Sequence, residues 1–221
     1  MPKIKPKVVD LGTKQGGALG VFLKHGQMYF DTFGIKPGDC LGIDRKRTYE
    51  KAVRKRGYHF KEANIFSDEF VWPKADYYLA FDFLEHLPDI HASDQVLRRM
   101  IENARRGVWL RMPSFEQDEE TGEGQLKKLG LRWAWTTWRG HPSHYLKGQA
   151  CSIIQTSLPQ RMFRMKVRPN RIMANTSDRS IVPIDAPGEA NRFDQKTMGR
   201  KPHRKLDPPV VGQWEVIVNR K

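Results

Sequence analysis

Strand-like and helical segments alternate through the first half of the chain, and this alternation limits the possible folds more than any other feature. Five short apolar runs that end in polar or turn residues have the length of buried strands. They cover residues 7–11, 40–43, 59–63, 77–83 and 108–112. Helices between successive strands require right-handed crossovers and a parallel sheet that is covered on both faces. The sequence therefore predicts an α/β fold.

Three helices are predicted between these strands, and each is followed by a glycine, a common helix stop. The clearest spans residues 93–106, where apolar residues recur along one face. A basic helix over residues 45–56 and a shorter, more apolar helix over residues 17–25 have the same design. One apolar face on each helix is what packing against a sheet needs.

The pattern changes after Pro113. Residues 115–150 contain an acidic stretch, three tryptophans and a histidine-rich turn, and we predict that they form an insertion. Strands are predicted around residues 163–168 and 214–219, and the basic, proline-containing segment 183–213 between them is predicted to be a loose loop or arm. We expect residues 1–221 to form a single domain.

Charge sets the chain apart from an average soluble protein. It has 39 Lys and Arg against 25 Asp and Glu, a net charge of +14 and a pI near 9.9. Such an excess favours a polyanionic partner, so we predict that nucleic acid binds late basic residues; a solvated face or a dock for an acidic protein surface stays open. The predicted contacts are Arg164, Lys166, Arg168, Arg200, Lys201, Arg204 and Lys205.

Several classes are disfavoured by composition. No apolar run approaches the ~18 residues that a membrane span needs, and the basic first residues lead into no long apolar stretch, so we expect a cytoplasmic protein. Cys40 and Cys151 are the only cysteines. Neither a disulfide framework nor a cysteine metal cluster can be built from them, and we predict no metal site.

Polar residues follow the predicted strands at the positions where ligands bind in open parallel sheets. After the first strand, Asp10 and Gly12 begin a small-residue turn that includes Gly16. Its glycine spacing fits neither a phosphate loop nor the dinucleotide fingerprint. After the second strand, Asp44 is placed to accept hydrogen bonds from ribose hydroxyls, with a helix cap as the alternative role.

At the end of the fourth strand the chain reads Ala-Phe-Asp-Phe-Leu-Glu-His-Leu-Pro over residues 80–88. With the two preceding turns, this run resembles the class I S-adenosylmethionine-dependent methyltransferases, particularly the subgroup with Glu-His-(Leu/Val)-Pro after its fourth strand. The resemblance covers roughly residues 7–115. It implies a Rossmann-like three-layer sandwich, a mostly parallel seven-stranded sheet with an antiparallel C-terminal hairpin, and S-adenosylmethionine as cofactor.

The resemblance also assigns roles to individual positions. It implies that the methionine part of the cofactor binds at Asp10, Gly12, Lys14 and Gly16, and its ribose at Asp44. It implies that the adenine edge lies at Glu62, Ala63 and Asn64, and that the methyl donor is bordered by Phe81 and Asp82. Glu85 and His86 match the Glu-His pair, and we predict that they act in catalysis, with His86 towards the acceptor.

One position departs from the family pattern, and one turn adds candidates to it. Lys14 stands where the family usually has glycine, and it either pairs with the cofactor carboxylate or is a surface lysine. The histidine-rich turn supplies His141, His144 and Tyr145 as further acceptor-side candidates, while the neighbouring tryptophans are more typical of core or lid packing.

The predicted function is S-adenosylmethionine-dependent methyl transfer. Charge favours a nucleic-acid acceptor, whereas the Glu-His-Leu-Pro turn is commoner in the small-molecule enzymes that the chain resembles, so the acceptor stays open. The alternative is a non-catalytic protein that keeps the methyltransferase fold and binds nucleic acid or has a structural role.

Overall fold

The computed structural model describes residues 5–116, 118 and 122–221. Its strands are β1 (Val8–Leu11), β2 (Cys40–Asp44), β3 (His59–Glu62), β4 (Ala75–Phe81), β5 (Ala104–Pro113), β6 (Leu131–Trp133), β7 (Phe163–Asn175), β8 (Ile181–Pro183) and β9 (Lys205–Arg220). Its helices are α1 (Gly17–His25), α2 (Glu50–Lys55), α3 (Ile90–Asn103), α4 (Glu123–Lys128), α5 (Lys147–Ser157) and α6 (Gln195–Met198).

A seven-stranded sheet runs through the molecule in the order β3-β2-β1-β4-β5-β9-β7. The first five strands of the chain pair in parallel, and β9 pairs antiparallel with both β5 and β7. The predicted α/β class, the mostly parallel seven-stranded sheet and the antiparallel C-terminal pair are confirmed. The order reverses between β1 and β4, which is where ligands bind in such sheets.

The central strand β4 shows why the sheet is covered on both faces. Successive side chains of a strand point to opposite faces. Tyr77, Leu79 and Phe81 accordingly belong to the core that includes α1 and α2, whereas Tyr78 and Ala80 belong to the core that includes α3 and α5. A strand that is buried on both faces is apolar at nearly every position. The three-layer arrangement follows from that pattern.

The helix α3 begins and ends earlier than its predicted span of 93–106. The Asp89 carboxylate accepts a hydrogen bond from the backbone N–H of Ala92 at 2.7 Å, which caps the helix before Ile90. At the other end residues 104–106 already belong to β5, and Gly107 lies inside that strand. The glycine there leaves space for a neighbouring strand, since a Cβ would overlap the carbonyl oxygen of Val218.

The late basic segment is more ordered than predicted. Residues 205–213 belong to β9, so the prediction of a loose loop over 183–213 is wrong for this part. Pro208 and Pro209 lie where the β7–β9 register shifts, between the pairs Met173–Val210 and Asn175–Lys205. Prolines are tolerated in strands at such irregularities because no ladder N–H is required of them.

The predicted insertion packs against this late segment. Trp133 of the short β6–β8 sheet shares a buried apolar cluster with Ile181, Leu206 and Val210.

None of the helices in the described ranges combines the length and apolar character that a membrane crossing requires.

Candidate active site

A cleft of about 560 Å³ opens at the carboxyl ends of β1, β2 and β4. Seven of the predicted site residues line it: Gly12, Lys14, Asp44, Ala63, Asn64, Asp82 and His86. The parallel register explains their meeting, since Asp10 lies beside Gly42 in β2 and beside Leu79 in β4. Residues that follow these three strands therefore emerge at one edge of the sheet.

The turn after β1 is held by the backbone and by Asp44. The N–H of Gly12 donates to the carbonyl oxygen of Ile43 at 2.9 Å, and the N–H of Lys14 donates to Asp44 Oδ2 at 3.1 Å. Gly12 has φ +65°, and a Cβ at this position would overlap the ring of Phe83. Glycine is therefore required here both by conformation and by space.

Lys14 keeps the left-handed backbone that glycine favours, with φ +45°. For a lysine this conformation is strained by about 1 kcal/mol or more. We expect Lys14→Gly to raise the free energy of unfolding by about 0.5 kcal/mol, because relief of strain exceeds the added freedom of glycine in the unfolded chain. Urea denaturation of both proteins measures this difference, and a less stable variant would show that lysine is preferred at this position.

Asp44 has both carboxylate oxygens engaged by the turn and by its own loop. Oδ2 accepts from Lys14 N–H, and Oδ1 accepts from the N–H of Lys46 at 2.9 Å. A carboxylate oxygen can accept about two hydrogen bonds. Each oxygen of Asp44 thus keeps capacity for one more donor from the cleft, and the carboxylate is held in place to receive it.

Asp10 lies deeper, in a neighbouring cavity of about 480 Å³. Its side chain is 1% exposed, and among the described residues Oδ2 has no hydrogen-bond partner. Burial raises the pKa of Asp10 to about 7. Phe81 and Arg111 line the same cavity, together with Gly12, Lys14 and Asp82, which it shares with the cleft.

The raised pKa of Asp10 predicts a pH-dependent effect on stability. The folded state holds a proton that the unfolded state releases near pH 4, so wild-type stability falls as pH rises from there towards 7. We expect Asp10→Asn to remove this loss. The difference in free energy of unfolding, Asp10→Asn minus wild type, should become about 2 kcal/mol larger as the pH rises from 5 to 6.5. Urea denaturation across this range measures the change, and a constant difference would contradict the assignment.

Asp82 connects the end of β4 to the strand β9. Its Oδ1 accepts a hydrogen bond from Gln213 Nε2 at 2.8 Å, and its backbone has φ +50°. Burial raises the pKa of Asp82, and the charges of Arg111 and Lys14 partly oppose this. Two residues lining the cleft, Lys14 and Asp82, therefore hold left-handed conformations, which cluster at functional sites.

His86 lies at the other end of the cleft, beside residues from the predicted insertion. Its Nδ1 is 2.5 Å from the carbonyl oxygen of Gly140, and its ring meets Trp138 edge-on with centroids 5.8 Å apart. Burial lowers the pKa of His86. The adjacent Glu85 is 1% exposed and does not line the cleft, and burial raises its pKa well above the ordinary value.

Two predicted cofactor residues lie outside the lining of both cavities. Gly16 packs on the ring of Tyr58 and caps α1 with φ +76°, so it shapes the turn without facing the cleft. Glu62 ends β3 and is exposed, and it pairs in register with Asp44. The backbone of Glu62 therefore reaches the same sheet edge as Asp44, but its side chain does not line the cleft.

The cleft is also lined by residues that the sequence analysis did not assign to the site. Arg45, Lys46 and Tyr49 come from the segment after β2, and Trp138 and Gly140 come from the insertion. The first three lie within five positions after Asp44 and could have been found from that position. The other two reach the site only through long-range packing.

The seven basic residues predicted to contact a polyanion are not equally available. Arg168 donates to Glu215 Oε2 at 2.7 Å, and Lys201 donates to the carbonyl oxygens of Asp178 and Ile181 at 2.6 and 2.8 Å. These two cations therefore have partners within the protein. The remaining five are exposed: Arg164, Lys166, Arg200, Arg204 and Lys205.

Solved structures with a similar fold include S-adenosylmethionine-dependent methyltransferases. One from Archaeoglobus fulgidus is 15% identical and matches with a TM-score of 0.57, covering 100% of this chain and 89% of that one. Magnesium protoporphyrin IX methyltransferase from Synechocystis PCC 6803, with SAH bound, is 13% identical with a TM-score of 0.50 and coverages of 99% and 76%.

An O-methyltransferase family protein from Burkholderia thailandensis is 12% identical with a TM-score of 0.52, and the match covers 98% of this chain and 51% of that protein. No family model and no curated protein matches the sequence. The comparisons establish that the chain has the class I methyltransferase fold.

Proposed function

We propose that this protein binds S-adenosylmethionine in the cleft and transfers its methyl group to an acceptor. The observation that carries the proposal is the meeting of the Gly12 turn, the oriented Asp44 carboxylate and Asn64 at the point where the strand order reverses. This is the ligand position of open α/β sheets, and here it lies in a methyltransferase fold.

The residues present fit the chemical groups of the cofactor. Asp44 has acceptor capacity for the ribose hydroxyls, and Ala63 with Asn64 would border the adenine. The buried carboxyl of Asp10 has an oxygen without a partner among the described residues, which suits the ammonium group of the methionine part. Lys14 would pair with its carboxylate. When bound, S-adenosylmethionine supplies a methyl group that its positive sulfur already activates.

The acceptor would occupy the end of the cleft near His86, Trp138 and Gly140. Methyl transfer from an activated donor depends mainly on holding the two reacting groups close and aligned. His86 would contact the acceptor, and Trp138 would limit its position. Phe83 packs on Gly12 and lines the cleft. In the chain it follows the residues proposed for the cofactor and precedes those proposed for the acceptor.

Charge supports an anionic acceptor, with nucleic acid favoured and a small molecule as the other class. Lys14, Arg45 and Lys46 line the cleft, and the net charge is +14. The five exposed late basic residues lie on or beside β7 and β9. These two strands lie at one side of the sheet, whereas the cleft opens at β1, β2 and β4, towards the other side. Only a long acceptor could contact both regions, which is a reason to test RNA and DNA first.

The proposal is tested by transfer of labelled methyl groups from S-adenosylmethionine to nucleic-acid and small-metabolite fractions from cells. We expect label in at least one fraction, with matching release of S-adenosylhomocysteine. Asp44→Ala is the matched control, because it removes the ribose contact and leaves His86 unchanged. Label in nucleic acid would identify the favoured acceptor class.

The alternative is a non-catalytic protein with this fold. It predicts no label in any fraction and no S-adenosylhomocysteine above the level of Asp44→Ala. That result, with cofactor binding intact, would overturn the enzymatic part of the proposal and retain the binding part.

A further inference from the structure

Three side chains beside the His86 end of the cleft bring metal-ligating atoms close together. Glu85, His86 and His141 each present one such atom, and these atoms lie within 4.8 Å of one another. The first two follow β4, and His141 comes from the insertion 55 residues later. The rings of His86 and His141 have centroids 4.8 Å apart.

Both histidines are held in the same tautomer by backbone carbonyl groups. His86 Nδ1 contacts the oxygen of Gly140 at 2.5 Å, and His141 Nδ1 contacts the oxygen of Trp135 at 2.9 Å. A carbonyl oxygen only accepts, so each Nδ1 carries the hydrogen and each Nε2 carries a lone pair. Metal-binding histidines are oriented in this way, by a hydrogen bond from the second ring nitrogen to a carbonyl or carboxylate.

Glu85 is a buried carboxyl group whose side-chain oxygens have no hydrogen-bond partner among the described residues. The side chain is 1% exposed. Burial of an unpartnered carboxyl is costly, and such a group requires a hydrogen-bond donor or a cation. His86 and His141 lie beside it and supply no hydrogen bond in the tautomer that their carbonyl partners select.

We propose that Glu85, His86 and His141 bind a divalent transition-metal cation. Two imidazoles and one carboxylate form the ligand set of catalytic zinc sites, and similar sets hold other first-row metals. Ligand atoms of a tetrahedral zinc ion lie ~3.4 Å apart, so a separation of up to 4.8 Å closes if each of the two side chains moves by less than ~1 Å.

Three protein ligands leave at least one coordination position open. Because His86 lines the cleft, that position would be accessible to an oxygen of water or of the acceptor. This second role rests on the proposed methyl transfer, whereas metal binding itself does not. The prediction of no metal site was based on the cysteines, and it could not anticipate that His141 would reach the Glu-His pair.

Calorimetric titration of Zn²⁺ and Co²⁺ into untagged protein, freed of metal by a chelator that is then removed, tests the proposal without S-adenosylmethionine. We expect one saturable site per chain and a visible absorption spectrum from bound Co²⁺. Glu85→Gln and His141→Ala should each weaken Zn²⁺ binding at least ~10-fold. Replacing a residue that only hydrogen-bonds to a metal ligand already lowers metal affinity by about that factor. His144→Ala is the matched control, because His144 stacks on Phe115 with centroids 4.5 Å apart and lies outside the cluster.

Thermal unfolding of the wild-type protein gives a readout that does not depend on the variants being well folded. One equivalent of Zn²⁺ should raise the Tm of the wild-type protein, because it binds the native state. In metal-free protein Glu85→Gln should be at least as stable as wild type, since it removes a buried carboxyl without a partner. An absent saturable site, an unchanged wild-type Tm, or equal Zn²⁺ affinity in wild type and both ligand variants would each overturn the proposal.

Discussion

Replacing Glu215 with alanine is expected to lower the free energy of unfolding by about 3 kcal/mol. Glu215 is fully buried in β9, and it accepts hydrogen bonds from two arginines on the adjacent strands. Arg111 Nη2 of β5 lies 2.9 Å from Oε1, and Arg168 Nε of β7 lies 2.7 Å from Oε2. Without the carboxylate, two neighbouring cations would face each other at the centre of the antiparallel sheet.

The expected loss is at the lower end of the range for broken buried ion pairs. The side chains of Arg111 and Arg168 are 20% and 35% exposed, so water can solvate them in part. Urea denaturation measures the loss. Glu189→Ala is the matched control, because its pair with Arg139 is largely exposed and should contribute less than about 1 kcal/mol. Equal effects of the two substitutions would show that Glu215 is not a stabilising centre.

Gly12→Val is expected to weaken S-adenosylmethionine binding at least ~100-fold, or about 2.7 kcal/mol. The backbone at Gly12 has φ +65°, which a β-branched residue rarely adopts, and the new side chain would overlap Phe83 at the floor of the cleft. Either the turn or Phe83 must then move into the space proposed for the cofactor. Calorimetric titration of the purified variant measures the loss.

Gly34→Val separates backbone strain from loss of the site. Gly34 has φ +74°, and a Cβ there would meet no atom within 4 Å. It does not line the cleft, so this variant should lose stability and keep its affinity for the cofactor. A folded Gly12→Val protein that binds S-adenosylmethionine as tightly as wild type would show that the cofactor does not bind at the β1 turn.

The strands of the first half could be predicted because each is a short apolar run with a polar end. Strand β4 is buried on both faces, Asp44 is the last residue of the buried strand β2, and Asp82 directly follows β4. Topology rules then brought these strand ends together without any knowledge of side-chain contacts. Local pattern was therefore enough to bring together the residues that we propose for the cofactor half of the site.

The acceptor half could not be placed in this way. Trp138, Gly140 and His141 reach His86 through packing of the insertion, and local sequence does not specify which loop covers a cleft. Glu215 shows the same limit in the sheet. Strand alternation places its side chain on the face opposite those of Trp214 and Val216, but its charge is compensated by Arg111, which lies 104 positions earlier in the chain.

The late basic residues show how tertiary contacts alter a prediction from charge. Composition treated Arg168 and Lys201 like their neighbours, yet one pairs with Glu215 and the other binds two carbonyl oxygens. If nucleic acid contacts the five exposed residues, log affinity should fall with log salt at about −0.7 to −0.9 per contact. Arg168 and Lys201 should add little to that slope.

Calorimetric titration of the wild-type protein with S-adenosylmethionine and S-adenosylhomocysteine tests the central claim most directly. We expect both to bind with one site per chain. Asp44→Ala should bind at least ~10-fold more weakly, because hydrogen bonds to a charged group contribute about 1.5 to 3 kcal/mol each. Absence of binding by both ligands, or equal affinity in wild type and Asp44→Ala, would contradict the assignment of this cleft as the cofactor site.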